Sequence, residues 1–187
     1  MVLAAGGSTR FGSPKQLAEK DGETLVRRAA QAAIAAGAAP IFVVLGAHAQ
    51  YIAPALENLR DVVTLENAAW KTGLASSLAL GMRAVIKNQE SEAALVTLAD
   101  QAFVDGAALA SLLAQFNDDN RIVASSYDGV IGVPALFARE FLEELTTLAG
   151  DAGAGVWLRA RSGAVTRVPL ERAALDIDTP SDTALLQ

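Results

Sequence analysis

Short apolar runs alternate with helix-periodic runs along this chain, and this alternation restricts the possible folds more than any other feature. The apolar runs predict strands over residues 2–5, 41–45, 62–66, 93–99, 121–126, 165–169 and 174–177. The periodic runs predict helices over residues 24–36, 50–59, 74–87, 106–116, 136–145 and 155–161, with a last short helix from Pro180. Strands separated by helices imply βαβ units with right-handed crossovers. The sequence therefore predicts an α/β fold with a mainly parallel sheet.

The first predicted strand runs directly into a loop that holds three glycines and two cations. Its sequence is Leu3-Ala4-Ala5-Gly6-Gly7-Ser8-Thr9-Arg10-Phe11-Gly12-Ser13-Pro14-Lys15. Glycine has no Cβ and tolerates positive φ, so the backbone N–H groups of such a loop can approach a ligand closely. Arg10 and Lys15 supply cationic donors for phosphate oxygens. We therefore predict that this loop binds phosphate at the edge of the sheet.

Two common phosphate-binding loops do not fit this segment. The G-x-G-x-x-G pattern of dinucleotide-binding proteins is absent from residues 6–12. Gly7 and Gly12 match the first half of a Walker loop, but Ser13-Pro14 stand where Lys-Ser/Thr must follow. Pro14 favours an extended conformation at Ser13, so no helix is predicted to begin there. The loop belongs to a third, more open kind.

Composition excludes several classes of function. The 187 residues suit one domain, and the absence of cysteine excludes disulfides and thiolate metal sites and is compatible with a cytoplasmic protein. No apolar run has the length of a membrane span. The net charge of −6 disfavours nonspecific binding to nucleic acid, which needs a basic face. We expect neither nucleic acid nor a membrane as a partner.

Polar residues follow or end several predicted strands. The glycine loop, Asn67, Asp100 and Asp178 all occupy such positions, and ligands of parallel sheets bind outside the carboxyl ends of the strands. A carboxylate there is well placed to hold a hard cation such as Mg²⁺. Asp176 and Asp178 alternate along a predicted strand and so share a face. Asp100 could equally form a turn, and Asp178 could cap the helix that begins at Pro180.

Four segments occur in an order that carries a resemblance. They are LAAGGSTRFGSPKQL at residues 3–17, NAAWKTGLASSL at 67–78, LADQ at 98–101 and DIDTPSD at 176–182. Together they resemble the MobA-like NTP transferases, the nucleotidyltransferases that build molybdenum-cofactor dinucleotides. The LAAG start is similar to the molybdenum cofactor cytidylyltransferase branch, whereas the guanylyltransferase branch usually has LAGG. The resemblance implies a three-layer, Rossmann-like nucleotide-diphospho-sugar transferase fold, with helices on both faces of the sheet and a single nucleotidyltransferase domain over residues 1–187.

The resemblance also implies roles for individual residues. Arg10, Lys15 and Asp100 are the expected catalytic residues: the two cations hold the triphosphate, and Asp100 is the principal metal ligand. Asp178 is preferred over Asp176 as the second metal ligand. The expected nucleotide contacts are Leu3, Ala4, Ala5, Gly6, Gly7, Arg10, Lys15, Asn67, Gly73 and Ser76. Trp70 is expected to cover the core, and His48 is expected on the surface.

The implied reaction is a Mg²⁺-dependent transfer of CMP from CTP to the phosphate of molybdopterin that carries molybdenum, with release of pyrophosphate. A molybdoenzyme client is a candidate partner. Three alternatives stay open. The first is the same chemistry with GTP or with a sugar or polyol phosphate. The second is a non-catalytic module that binds and delivers a cofactor, and the third is a nicotinamide-dependent oxidoreductase, which the α/β pattern alone suggests.

Three positions depart from the pattern of these relatives, and all of them concern the acceptor. Val133 lies in Gly-Val-Pro where relatives commonly show Gly-His-Pro. Gly155 takes the place of the arginine in a Gly-Asp-x-Gly-Ala-Arg segment, and Ala102 stands where proline is common. Arg159 and Arg161, on the predicted helix just after, are candidates to supply the missing cation. The donor side of the site is therefore expected to follow the family more closely than the acceptor side.

Overall fold

The central sheet puts the carboxyl ends of several parallel strands at one edge. A computed structural model describes residues 1–186, and within this range seven strands pair in the order β5-β4-β1-β6-β8-β7-β9. They are β1 Val2–Ala4, β4 Ile41–Leu45, β5 Val62–Glu66, β6 Ala93–Leu98, β7 Ile122–Tyr127, β8 Val130–Ala138 and β9 Thr166–Pro169. A small hairpin joins β2 Glu19–Lys20 to β3 Glu23–Thr24. Neighbouring strands of the sheet are parallel except at β8, which is antiparallel to β6 and β7.

Helices cover both faces of the sheet. They are α1 Leu25–Ala35, α2 Ala49–Ile52, α3 Leu74–Lys87, α4 Gly106–Leu113, α5 Leu142–Leu145 and α6 Ala154–Ala160. Alternate residues of β4 point in opposite directions: Ile41, Val43 and Leu45 join the apolar cluster of α1, α2 and α4, whereas Val44 joins that of α3, α5 and α6. The mainly parallel, three-layer α/β fold is confirmed. Within residues 1–186 no helix is long and apolar enough to cross a membrane.

Two predicted elements were wrong. The run at residues 136–145, predicted as a helix, is the end of β8 followed by a short 3₁₀ turn and the one-turn α5. Residues 131–138 are almost wholly apolar because β8 lies between β6 and β7, and a short apolar run of this kind does not distinguish strand from helix. Residues 174–177, predicted as a strand, follow a 3₁₀ turn at Glu171–Ala174 and join no sheet.

Other predictions hold with different boundaries. Helix α1 ends one residue before Ala36, and Gly37 follows with a φ of 87°. The helix predicted over residues 50–59 is α2 followed by a 3₁₀ turn at Ala53–Leu56, because Pro54 lies at its start. Pro14 is followed immediately by a single 3₁₀ turn at Lys15–Leu17, where no helix was predicted.

Candidate functional site

The glycine loop after β1 is held in place by one buried glutamine. The Gln16 side chain is 3% exposed, and its Nε2 donates to the carbonyl oxygens of Ala4 at 3.0 Å and Gly6 at 2.9 Å. Its Oε1 accepts from the Ser8 hydroxyl at 3.2 Å, and that hydroxyl oxygen accepts from the Lys15 N–H at 3.1 Å. These bonds tie the start of the loop to its end. Lys15 is therefore directed back towards the strand ends.

Lys15 joins two carboxylates that are far apart in the sequence. Its Nζ lies 2.6 Å from Asp100 Oδ2 and 2.7 Å from Asp178 Oδ1. Arg10 Nη2 lies 2.8 Å from the other Asp178 oxygen. Burial alone lowers the pKa of Lys15, but Asp100 and Asp178 outweigh it and raise that pKa above its usual value. The hydrogen bond from Lys15 lowers the pKa of Asp178. The site thus contains two cations and two anions that neutralise one another.

Backbone contacts bring the segment at residues 176–178 to Asp100, although this segment is not part of the sheet. The Ile177 N–H donates to the Asp100 carbonyl oxygen at 3.1 Å. Asp182 Oδ2 accepts from the Asp178 N–H at 2.9 Å, which caps the 3₁₀ turn that starts at Pro180. Asp176 has an exposed surface, but desolvation by the surrounding protein, followed by the charges of Asp100 and Asp178, raises its pKa to about 6. The three carboxylates therefore share one electrostatic environment.

Beside this cluster the strand ends and the glycine loop enclose a cavity of about 400 Å³. Its lining is Leu3, Ala4, Ala5, Gly6, Gly7, Lys15, Gln16, Trp70, Lys71, Gly73, Leu74, Ser77, Leu98, Ala99, Asp100 and Asp151. Trp70 forms one wall and packs against the loop, since a Cβ added to Gly7 would lie 3.0 Å from the Trp70 ring. The lining combines an apolar wall with the cations Lys15 and Lys71, a combination that suits a nucleotide.

A family model described as the MobA-like NTP transferase domain matches residues 1–165 of the chain. The chain belongs to this family. Nicotine blue oxidoreductase of Paenarthrobacter nicotinovorans is 31% identical over 191 residues, which cover 96% of this chain and 91% of that protein.

Solved structures agree with this membership. Rv0371c from Mycobacterium tuberculosis superposes with a TM-score of 0.79 at 30% identity, covering 99% of this chain and 95% of that one. A complex of Rv0371c with manganese gives 0.73 at 29% identity with the same coverage. A nucleotidyl transferase from Methanothermobacter gives 0.83 at 23% identity, covering 99% and 93%, which shows the shared nucleotide-diphospho-sugar transferase fold. The family and its fold support nucleotidyltransferase as the class of this protein.

The MobA-like fold brings most of the predicted site residues together. The cavity is lined by Leu3, Ala4, Ala5, Gly6, Gly7, Lys15, Gly73 and Asp100. Beside the cavity, Asp178 binds both Arg10 and Lys15. Asn67 and Ser76 lie apart from the cavity. Asn67 is buried, and its Nδ2 donates to the hydroxyls of Ser76 and Ser77 at 2.9 Å each. In this structure both residues therefore fix the shape of the loop before α3.

The cavity lining also contains residues that the sequence analysis did not assign to the site: Gln16, Lys71, Leu74, Ser77, Leu98, Ala99 and Asp151. All except Asp151 lie inside the quoted motifs at residues 3–17, 67–78 and 98–101, which located these residues without giving them roles. Asp151 lies in the loop before α6, which approaches the cavity only through tertiary packing. Trp70 packs against the core, as expected, and in addition forms the cavity wall.

Gly73 lines the cavity and packs against the backbone of the loop before α6, so its substitution should affect stability. Its φ is 113°, and a Cβ there would lie 2.2 Å from the Gly150 carbonyl oxygen, a backbone atom. That oxygen also accepts from the Ala75 N–H at 3.0 Å. We expect Gly73→Ala to lower the free energy of unfolding by about 2–4 kcal/mol, because backbone strain adds to overpacking. Urea denaturation measures the change.

Gly163→Ala is the matched control for this prediction, because a Cβ at Gly163 meets nothing within 4 Å. We expect its free energy of unfolding to stay within about 1 kcal/mol of the wild-type value. Equal stability of the two alanine variants would contradict the close packing of Gly73 on Gly150.

Proposed function

We propose that the protein transfers a nucleotidyl group from a nucleoside triphosphate to a phosphate-bearing acceptor, with CTP and molybdenum-bearing molybdopterin as the favoured pair. The observation that carries this proposal is the Lys15 ammonium bound to both Asp100 and Asp178 beside a glycine loop and a nucleotide-sized cavity. Lys15 and Arg10 are positioned to exchange their carboxylate partners for phosphate oxygens. The LAAG start is the basis for preferring CTP.

The residues present fit a magnesium ion that binds together with the triphosphate. Asp100 Oδ1 is buried and has no hydrogen-bond partner among residues 1–186, so it is available as a hard oxygen ligand, with Asp178 as the second. No group of three or more His, Cys, Asp or Glu side chains in this range could hold a metal alone. Magnesium is commonly held by one or two carboxylates, with phosphates and water completing the shell. When bound, it would polarise the phosphates and offset their charge.

The reaction places few chemical demands on the protein. An oxygen of the acceptor phosphate attacks the α-phosphorus, the bond from that phosphorus to the bridging oxygen of the β-phosphate breaks, and pyrophosphate leaves with the bonding pair. The acceptor oxygen is already ionised at neutral pH, so no general base is needed. Lys15 and Arg10 neutralise charge on the leaving pyrophosphate, and the glycine loop fixes its position. The Lys15 ammonium keeps its proton because Asp100 and Asp178 raise its pKa.

A redox reaction is the second candidate, and one observation favours it: a relative that is 31% identical is named nicotine blue oxidoreductase. In that case the cavity would hold a flat aromatic substrate against Trp70 and a nicotinamide nucleotide would supply hydride. The absence of G-x-G-x-x-G from the loop at residues 6–12 weighs against this candidate.

The experiment that separates the two candidates is a ligand panel read by thermal unfolding. CTP, GTP, UTP, ATP, NADH and NADPH are each added with and without Mg²⁺. We expect a magnesium-dependent rise in Tm with CTP, because a ligand at about 100 times its Kd stabilises the fold by about 2.7 kcal/mol. Pyrophosphate release with molybdenum-bearing molybdopterin then measures turnover.

Each result of the panel leads to a definite conclusion. A magnesium-dependent preference for GTP would keep the reaction class and overturn the preference for CTP. Stabilisation by NADPH alone, with consumption of NADPH in the presence of nicotine blue, would overturn nucleotidyl transfer in favour of the redox reaction.

A further inference from the structure

Arg159, on the second turn of α6, is an exposed cation that lies over a glycine. A Cβ added to Gly155 would lie 3.1 Å from Arg159 Nη1, so the guanidinium covers the helix surface that a side chain at residue 155 would occupy. Arg161 is held differently. Its Nη2 lies 2.7 Å from a Glu144 oxygen, and its guanidinium lies 4.1 Å from the centre of the Trp157 ring. Among residues 1–186, Arg159 has no carboxylate partner of that kind, so its charge is available to a ligand.

Helix α6 is anchored beside the nucleotide cavity. The loop that precedes it packs on Gly73, and Asp151 in this loop lines the cavity. The helix itself packs against β8, the strand that carries Gly132 and Val133. Arg159 is absent from the cavity lining, which contains the glycine loop. It therefore lies outside the cavity that contains the glycine loop.

Hydrogen bonds to one carbonyl oxygen of β8 connect Gln101, the residue after Asp100, with Tyr127. Gln101 Nε2 donates to the Val133 carbonyl oxygen at 3.0 Å, and the Tyr127 hydroxyl donates to the same oxygen at 3.3 Å. The Tyr127 hydroxyl lies directly over Gly132, because a Cβ added to Gly132 would be 2.3 Å from the hydroxyl oxygen. Burial raises the pKa of Tyr127, the charge of Asp176 raises it further, and the charge of Arg159 lowers it. Tyr127 is thus within electrostatic reach of both Asp176 and Arg159.

We propose that Arg159 binds the phosphate of the acceptor, in a half-site bounded by Tyr127 and the backbone at Gly132 and Val133. This inference rests on the proposed nucleotidyl transfer. Lys15 and Arg10 mark the pyrophosphate side of Asp100, and an in-line displacement needs the attacking phosphate on the opposite side. An unneutralised guanidinium binds a phosphate monoester through two parallel hydrogen bonds, which suits this second position.

Steady-state kinetics with CTP and molybdenum-bearing molybdopterin test the assignment. We expect Arg159→Met to raise the KM for the acceptor about ten- to hundredfold, because a charge-assisted pair is lost, with the KM for CTP within twofold of wild type. Arg161→Met is the matched control on the same helix and should leave the acceptor KM within threefold. Gly155→Arg combined with Arg159→Met should recover most of the lost acceptor affinity, since a side chain at residue 155 reaches the same space. An unchanged acceptor KM in Arg159→Met, or an equal rise in Arg161→Met, would overturn the proposal.

A binding measurement that needs no turnover separates this inference from the proposed function. The Nε–Hε NMR signal of Arg159 is followed during titration with phenyl phosphate in the absence of nucleotide. A saturable shift of this signal, absent for Arg161, supports the half-site even if CTP fails to bind, in which case only the proposed function fails. No shift at phenyl phosphate concentrations up to tens of millimolar overturns the Arg159 assignment, whatever happens with CTP.

Discussion

Replacing Asp100 by asparagine is expected to lower kcat/KM for nucleotidyl transfer by about a thousandfold, equivalent to about 4 kcal/mol of transition-state stabilisation. Asparagine keeps the shape of the side chain but removes the charge that makes Asp100 Oδ1, buried and without a hydrogen-bond partner in residues 1–186, a ligand for a divalent cation. Binding of Mn²⁺ in the presence of CTP should weaken in parallel, as measured by electron paramagnetic resonance.

The stability of the Asp100→Asn variant should change little, and this makes the kinetic result interpretable. Lys15 keeps its contact with Asp178 at 2.7 Å, and the repulsion between Asp100 and Asp176 is relieved. We expect the free energy of unfolding to fall by no more than about 2 kcal/mol. Asp119→Asn, at an exposed position in the turn after α4, is the matched control. Activity of Asp100→Asn within tenfold of wild type would contradict the metal role and would favour a module that only binds and delivers a cofactor.

The second large effect concerns Lys15, where two observables should move in opposite directions. We expect Lys15→Met to lower kcat/KM by about a thousandfold, because the triphosphate loses its least exposed cationic partner and the leaving group loses its neutralising charge. The affinity for Mn²⁺ without nucleotide should rise, because Asp100 and Asp178 no longer bind the ammonium group at 2.6 and 2.7 Å. Pyrophosphate release measures the change in kcat/KM, and isothermal titration measures the affinities for Mn²⁺ and for CTP.

Opposite signs distinguish this arrangement from a simple loss of structure. A misfolded Lys15→Met variant would lose affinity for the metal and for CTP together. The ion-paired site instead predicts a higher affinity for Mn²⁺ and a lower affinity for CTP. Without metal, the Tm of Lys15→Met should be lower than that of wild type, because two neighbouring carboxylates lose their shared cation. Addition of Mg²⁺ should raise the Tm of Lys15→Met by more than it raises the Tm of wild type. Lys87→Met, exposed at the end of α3, is the control. A fall in Mn²⁺ affinity of Lys15→Met would contradict the competition between lysine and metal.

The sequence alone determined the fold class and the proximity of the glycine loop to Asp100. Buried strands in βαβ units are almost continuously apolar, and the carboxyl ends of parallel strands necessarily lie at the same edge. The loop after β1 and Asp100 after β6 were therefore predictable as neighbours, and the structure places them around one cavity. The glycine loop was recognisable because glycine lets the backbone approach a ligand closely and because two cations accompany the glycines.

Tertiary structure alone decided how the acidic residues and strand β8 are arranged. The contact between Lys15 and Asp178 joins residues 163 positions apart, and no local periodicity encodes such a pair. The segment of Asp178 is placed by its backbone bond to Asp100 and by the Asp182 cap, where a strand was predicted. The direction of β8 likewise depends on packing between elements, because β8 is antiparallel to both β6 and β7. The hydrophobic periodicity of a segment indicates which face of a helix or strand is buried. It does not indicate which other element packs against that face, because this depends on the packing of the whole chain.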